Sequence, residues 1–284
     1  STYYFKIWSY TNSGTGINYK LVNEPQSTCT TLSYQQSGIA TYTFSGGTAN
    51  ASSAPISNLT LSPVSHGNNN GITTLITNTS ASTGYAGATG TFNAGVAARV
   101  GVLNTNANNS AYFEFSLSPD NGFTVALTAI SFGSRSTSTG PQAFAIRTNL
   151  DNYSSNVVTG TLLNNSVWAL ANPTIPTLLS PLSTSLTVRI YGYGGTGSPA
   201  LNTANWRIDD INLTVEVAST RIISTDTLAD LSLCEGETFN VPYLVNIPFL
   251  TGNTFYAQLS DNTGAWTTPI QIGTITATTS GNIA

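Results

Sequence analysis

Apolar and polar residues alternate with a period of two along most of this chain, in runs of about five to nine residues rich in Thr, Val, Ile, Tyr and Phe and closed by Gly, Asn, Ser or Pro. Successive side chains of an extended strand point to opposite faces, so the period predicts half-buried antiparallel strands. Helical spacing is nearly absent. Between Ala111 and Leu117 the apolar set is Ala111, Phe113, Phe115 and Leu117, with Glu114 turned outward. Between Leu186 and Tyr193 it is Leu186, Val188 and Ile190, with Thr187 and Arg189 on the other face. Two longer runs change phase midway. From Phe123 to Phe132 the inward set moves from Phe123, Val125 and Leu127 to Ile130 and Phe132. From Trp206 to Val217 it moves from Trp206 and Ile208 to Ile211, Leu213, Val215 and Val217, slipping at Asp209 and Asp210. One extra residue in a β-bulge produces such a slip, and bulges suit strongly curved sheets.

The expected fold is therefore all-β, in three pieces. Residues 1–31 open directly on a strand and end after the polar, Pro-containing stretch Asn23 to Thr30. Residues 32–218 hold the long strands and the Asn/Gly loops, such as Gly67 to Gly71, and are expected to form a central jelly-roll β-sandwich. Residues 219–284 begin a smaller sandwich whose turns fall at Glu235 to Glu237, Thr251 to Asn253 and Asp261 to Gly264. The outer pieces read as partial domains, so the chain is expected to be a segment of a longer modular protein.

Composition narrows the function. Charged residues make up 7% of the 284, with 8 basic and 12 acidic, against about a quarter in an ordinary globular domain. Aromatics at 10% and hydrophobics at 40% supply large cores, which argues against disorder. A net charge of -4 argues against nucleic acid, whose phosphates call for clustered Lys and Arg. No apolar run approaches the roughly 20 residues of a membrane-crossing helix, so membrane insertion is not expected either. Cys29 and Cys234 would be free to pair in an oxidising, secreted setting, and two separate thiols are the alternative.

Three resemblances follow from particular residues. Tyr3-Tyr4-Phe5-Lys6-Ile7-Trp8-Ser9-Tyr10 with Asn12-Ser13-Gly14 and Ile17-Asn18-Tyr19 resembles the last two strands of a fibronectin type III domain, with Tyr3 at the tyrosine-corner position. The stretch Leu233-Cys234-Glu235-Gly236-Glu237, then Val241-Pro242-Tyr243 and Gly252-Asn253-Thr254-Phe255-Tyr256, is similar to the Ig-like repeats of gliding-motility adhesins exported by type IX secretion in Bacteroidota. Tyr112-Phe113-Glu114-Phe115, Ile130-Ser131-Phe132 and Trp206-Arg207-Ile208-Asp209-Asp210-Ile211 resemble jelly-roll modules of secreted bacterial proteins, a group with no catalytic set to carry over. Together these imply a non-catalytic part of a secreted or cell-surface adhesin-like protein, outside the cell, with its own neighbouring domains and a glycan, cell-surface or matrix ligand as partners. Two other readings stand beside it: a filament subunit, a homopolymer built by strand addition, and a carbohydrate-binding accessory module of a secreted hydrolase.

Candidate chemistry is sparse. His66 is the single histidine, so histidine acid/base work would pass through it, and neither a nucleophile motif nor a second metal-binding histidine accompanies it. Asp209 and Asp210 are the only adjacent carboxylates and could serve calcium, or one could cap the bulge while the other faces water. No cofactor other than calcium is expected. For a sugar, the candidates are Arg135, Arg147 and Arg189 with Tyr191, Tyr193 and Trp168, provided that they share one face; the plainer alternatives are core aromatics and surface ion pairs. Asp226-Thr227-Leu228 resembles the O-glycosylation triplet of exported Bacteroidota proteins, with Thr227 as acceptor.

Overall fold

The computed structural model describes residues 3–4, 35–175, 179, 181–196, 200–226, 238–259 and 267–284. It is all-β among these residues, apart from one 3-10 turn at Asn149–Asp151. Two compact units form: Gln35–Ala218, and a second that takes in Ser219–Ala284 and the amino-terminal strand β1 (Tyr3–Tyr4).

In the first unit the strands are β2 (Gln35–Tyr42), β3 (Leu59–Leu61), β4 (Ser65–Gly67), β5 (Ile76–Thr77), β6 (Asn93–Val96), β7 (Tyr112–Pro119), β8 (Phe123–Ser136), β9 (Ala143–Thr148), β10 (Val158–Thr161), β11 (Trp168–Ala171), β12 (Leu186–Tyr193) and β13 (Trp206–Ser219). A first sheet runs in the order β10-β9-β12-β7-β3, with β4 also paired to β7. A second runs β11-β8-β13-β6-β5, with β2 also on β13. The chain repeatedly crosses from one sheet to the other, β7 to β8 to β9 and β11 to β12 to β13, as a jelly-roll sandwich requires.

The inward positions foreseen from the alternation form one core. Phe113, Phe115 and Leu117 of β7 and Leu186, Val188 and Ile190 of β12 meet Ile130 and Phe132 of β8 and Ile208, Ile211, Leu213 and Val215 of β13, all essentially without exposure. Aromatic rings lock the layers together. Phe113 meets Trp206 edge-on at 4.9 Å, and Phe132 meets Phe144 at 5.3 Å. Trp206 also donates from Nε1 to Ser134 Oγ at 3.1 Å, so the one polar atom of its ring is satisfied inside the sandwich.

The phase changes appear where the pattern put them. On β8, Leu127 and Ile130 are buried while Thr128 between them is exposed. On β13 the slip falls on Asp210, whose φ of 48° is left-handed, and Asp209 Oδ1 accepts the Asp210 N–H at 2.8 Å. Before the slip β13 pairs with β6, from Trp206 to Ile208; after it, with β2, from Ile211 to Ala218. The bulge therefore marks the point where β13 changes partner along one edge.

The second unit has β14 (Ile223–Thr225), β15 (Val241–Val245), β16 (Thr254–Leu259), β17 (Ile270–Thr276) and β18 (Gly281–Ile283). These make two three-stranded sheets, β1-β16-β17 and β14-β15-β18, around Ile223, Val241, Tyr243, Phe249, Phe255 and Ile283. The turn expected at Thr251 to Asn253 joins β15 to β16, with Gly252 at φ 84° and Asn253 N–H donating to Leu250 O. β1 lies parallel to β16, Tyr3 opposite Phe255 and Tyr4 opposite Tyr256.

Candidate functional site

The two outer faces of the first unit carry its polar chemistry, and they differ. On the first sheet, β12 and β7 pair antiparallel so that Arg189 stands opposite Glu114 and Tyr191 opposite Tyr112. Arg189 Nε donates to Glu114 Oε2 at 2.5 Å, and a guanidinium nitrogen reaches the Tyr191 hydroxyl at 3.2 Å. Its plane lies between two rings, Tyr112 at 4.3 Å and Tyr153 at 3.8 Å. Burial alone would weaken the Arg189 charge, but the Tyr191 and Glu114 contacts outweigh it and raise its pKa. Tyr112 in turn lies across Gly67, where a side chain would collide with the ring.

Arg147 stands opposite Arg189 on β9, close enough for two cations to repel. It is drawn the other way, donating to Asn156 Oδ1 at 2.7 Å and to the carbonyls of Tyr153 and Ser154 at 2.6 and 2.9 Å. The two arginines thus act in concert, since Arg147 closes the loop after β9 and Arg189 takes the Tyr153 ring that this loop presents. Tyr191 is fully buried under Tyr112 with its ring 5.0 Å away, and Tyr193 lies at the end of β12 opposite Ala143.

On the second sheet, residues 78–92 fold back across the outer face as a flap. Gly133, in the middle of β8, makes room for it: a Cβ there would overlap the Tyr85 ring. The flap is pinned by Asp210. Its Oδ2 accepts from the Tyr85 hydroxyl at 2.5 Å, from Thr89 N–H at 3.2 Å and from Ser82 Oγ at 3.4 Å, and its Oδ1 accepts from Thr89 Oγ1 at 2.7 Å. Asp209 lies beneath, fully buried, and its Oδ2 has no hydrogen-bond partner. Burial, together with the Asp210 charge and against a partial offset from Ser82, pushes its carboxyl up to about 7.

Calcium takes six to eight oxygen ligands. Of the two carboxylates proposed for calcium, Asp210 is engaged by four donors and Asp209 keeps one oxygen without a partner. Among the described residues no group of three or more His, Cys, Asp or Glu side chains comes together. Asp210 acts here as the anchor of the flap, and Asp209 holds the Asp210 N–H at the bulge.

Beside the flap lies an open groove of about 370 Å³, lined by Ser80, Ala81, Thr83 and Gly84 from the flap, Arg135 from β8, and Ser166, Val167 and Trp168 from β11 and the turn before it. Arg135 and Trp168 are direct cross-strand partners, so their side chains leave the sheet on the same side. Trp168 is buried yet belongs to the flap rather than the core: its Nε1 donates to Ser80 O at 2.9 Å and its ring lies 6.3 Å from that of Tyr85. Arg135 is half-buried. Arg99, Arg147, Arg189, Arg207 and Arg221 each donate to a protein acceptor, whereas Arg135 alone among the described arginines donates to none.

The structure therefore divides the predicted sugar-binding set. Arg147, Arg189, Tyr191 and Tyr193 share the outer face of the first sheet; Arg135 and Trp168 share that of the second. His66, on β4 opposite Phe113, places Nε2 3.0 Å from the Thr73 carbonyl, a contact that closes the loop following β4. Cys29, Cys234 and Thr227 lie outside the described residues. Sequence reasoning missed the flap residues Ser82, Tyr85 and Thr89 and the ring partners Tyr112 and Tyr153. The usable signals were Gly133 and Gly67, glycines within strands that mark a close approach.

Among the described residues no helix is long and apolar enough to cross a membrane. No family model and no curated protein matches the chain. Among solved structures it is similar to a cleaved adhesin domain of Lys-gingipain from Porphyromonas gingivalis, at 10% identity and a TM-score of 0.32, over 62% of this chain and 97% of that one.

Proposed function

We propose that this chain is a non-catalytic, adhesin-like segment of a secreted or cell-surface protein, and that its jelly-roll unit binds a glycan in the groove between the flap and β11. The observation that carries this reading is the unpartnered guanidinium of Arg135 beside Trp168, in a groove whose lining includes Ser80, Thr83 and Ser166. A sugar ring combines apolar C–H faces with a rim of hydroxyls, and this lining offers both kinds of surface. The sparse charge and the closely packed strands suit a module held outside the cell.

The non-catalytic part rests on how the acid/base candidates are used. The His66 ring is engaged with a main-chain carbonyl, and Asp209 and Asp210 sit beneath the flap. Glycoside hydrolysis needs two carboxyl groups facing a common bond, and the groove lining contains none. The test is binding of the intact chain to a glycan array and to cell and matrix preparations, with a parallel search for released products. Retention without turnover is the expected result. Absence of binding to every surface, or product formation lost in His66→Ala, would sink the proposal.

One observation favours a second reading, a filament built by strand addition. β1 occupies the edge of β16 through main-chain pairing, and the same pairing made between copies would join them end to end. Polymers that disappear on deletion of residues 1–31 would establish it; a monomer at high concentration would remove it.

A further inference from the structure

We infer that the groove beside Arg135 selects an acidic sugar, a uronic or sialic acid residue whose carboxylate is seated on the Arg135 guanidinium. This rests on the glycan-binding reading above and names the ligand class for that same site.

Five N–H donors in a planar fork match a carboxylate two by two, and every other described arginine already has an acceptor within the protein. Arg135 is partly withdrawn from water and faces no carboxylate in the groove. Its charge adds to that of Arg207, which lies across Gly95 on the same face and is tied to Asn93 Oδ1 at 3.0 Å. Burial and then the nearness of Arg135 lower the pKa of Arg207, as expected of two cations that feel one another. Asp210, beneath the same flap, is taken up by Ser82, Tyr85 and Thr89, so an anion entering the groove meets in Arg135 a described arginine with no acceptor of its own.

The rest of the lining suits a saccharide better than an acidic peptide or a phosphate chain. Ser80, Thr83 and Ser166 are the hydroxyl-bearing residues of the lining, while Ala81, the exposed Val167 and the largely buried Trp168 are its apolar ones. About 370 Å³ is room for one or two sugar rings. A single free cation is too little for a phosphate backbone, which needs several. The walls are also set in advance: Trp168 is held by Ser80 O, Ser166 N–H by Ser136 O at 2.8 Å, and the flap by Asp210. Ser80 and Ser166 both keep left-handed backbone, at φ 60° and 63°, an unfavourable conformation for serine that the surrounding bonds maintain on both sides of Arg135. Binding then orders little that is not already ordered.

The experiment is titration of the intact chain with glucuronate-containing and sialylated oligosaccharides, their carboxyl-reduced counterparts, neutral oligosaccharides and an acidic peptide, using wild type, Arg135→Gln, Arg135→Lys and Arg147→Gln. The acidic sugars are expected to bind, to lose at least tenfold in affinity on carboxyl reduction or in Arg135→Gln, and to weaken as salt is raised. Arg135→Lys, which keeps the charge without the fork, is expected to fall between, and Arg147→Gln to bind like wild type. Equal binding of carboxyl-reduced sugar, an unchanged affinity in Arg135→Gln, or tighter binding of the acidic peptide would each overturn the inference. If neutral sugars bind and acidic ones do not, the inference falls and the glycan-binding reading stands. If no sugar binds, both fall.

Discussion

The two outer faces of the jelly-roll unit solve the same problem in opposite ways. Each holds an arginine on a central strand of a weakly charged sandwich. On the first sheet Arg189 is enclosed by an ion pair, a hydroxyl and two rings, and Arg147 is spent on the loop that delivers one of those rings. On the second sheet the anionic groups are turned toward the flap instead, and Arg135 is left with open donors beside a fixed tryptophan. A guanidinium satisfied within the fold stabilises it; one left open contributes little to folding and stays free to hold something else.

The largest test of this contrast is Asp210→Ala. Four donors lose their acceptor beneath the flap, and a side chain with Cβ must still take a left-handed φ, so a loss of about 3 kcal/mol is expected in urea unfolding. New protease cleavage within residues 78–92 should accompany it. A loss below about 1 kcal/mol with the flap still protected would show that Asp210 is not the anchor.

Next comes Arg189→Ala, expected to cost about 1 to 3 kcal/mol through the ion pair and both ring contacts. The ion pair is partly open, with side-chain exposures of 23% and 27%, so most of the loss should persist in high salt, where ring packing remains and the pair is screened. Complete disappearance of the effect in salt would make the first face as loosely held as the second.

Asp209→Asn should act in the other direction, and with pH. The Asp209 carboxyl is raised from 3.8 to about 7 in the folded protein, so folding is favoured by its protonation. That contribution is complete below about pH 4, declines between the unfolded and folded values, and is gone above about pH 7. Wild type should therefore lose stability from pH 4 to pH 7 in thermal melts. The asparagine variant should show a flatter profile and gain about 1 to 3 kcal/mol at pH 8, having no buried charge to desolvate. An identical pH profile in both proteins would place the carboxylate in contact with water.

The smallest expected change sharpens the contrast most. Arg135→Gln should leave stability within about 0.5 kcal/mol of wild type, because no protein acceptor is lost. A drop comparable to that of Arg189→Ala would mean that Arg135 belongs to the fold as well.

The alternation in the sequence was enough to find the long strands β7, β8, β12 and β13, the inward faces of β7 and β12, and both bulges, because the two-residue period and its slips are local; the short strands carry too few residues to show a period, and Gly67, read as the start of a loop, ends β4. Asp209 and Asp210 were legible as a bulge for that reason, and as a carboxylate pair, but not as the clasp of a flap. Tyr85 and Asp210 are 125 residues apart, and no local pattern links them. Arg135, Arg147 and Arg189 look alike in sequence, each an outward position on a strand. Their difference arises only when sheet order sets Glu114 and Tyr112 beside one of them and Trp168 beside another. The sequence by itself determined an all-β chain and the inward faces of its long strands; tertiary structure decided the sheet order and which charges find partners, because both depend on which strands become neighbours and which loop lies across them.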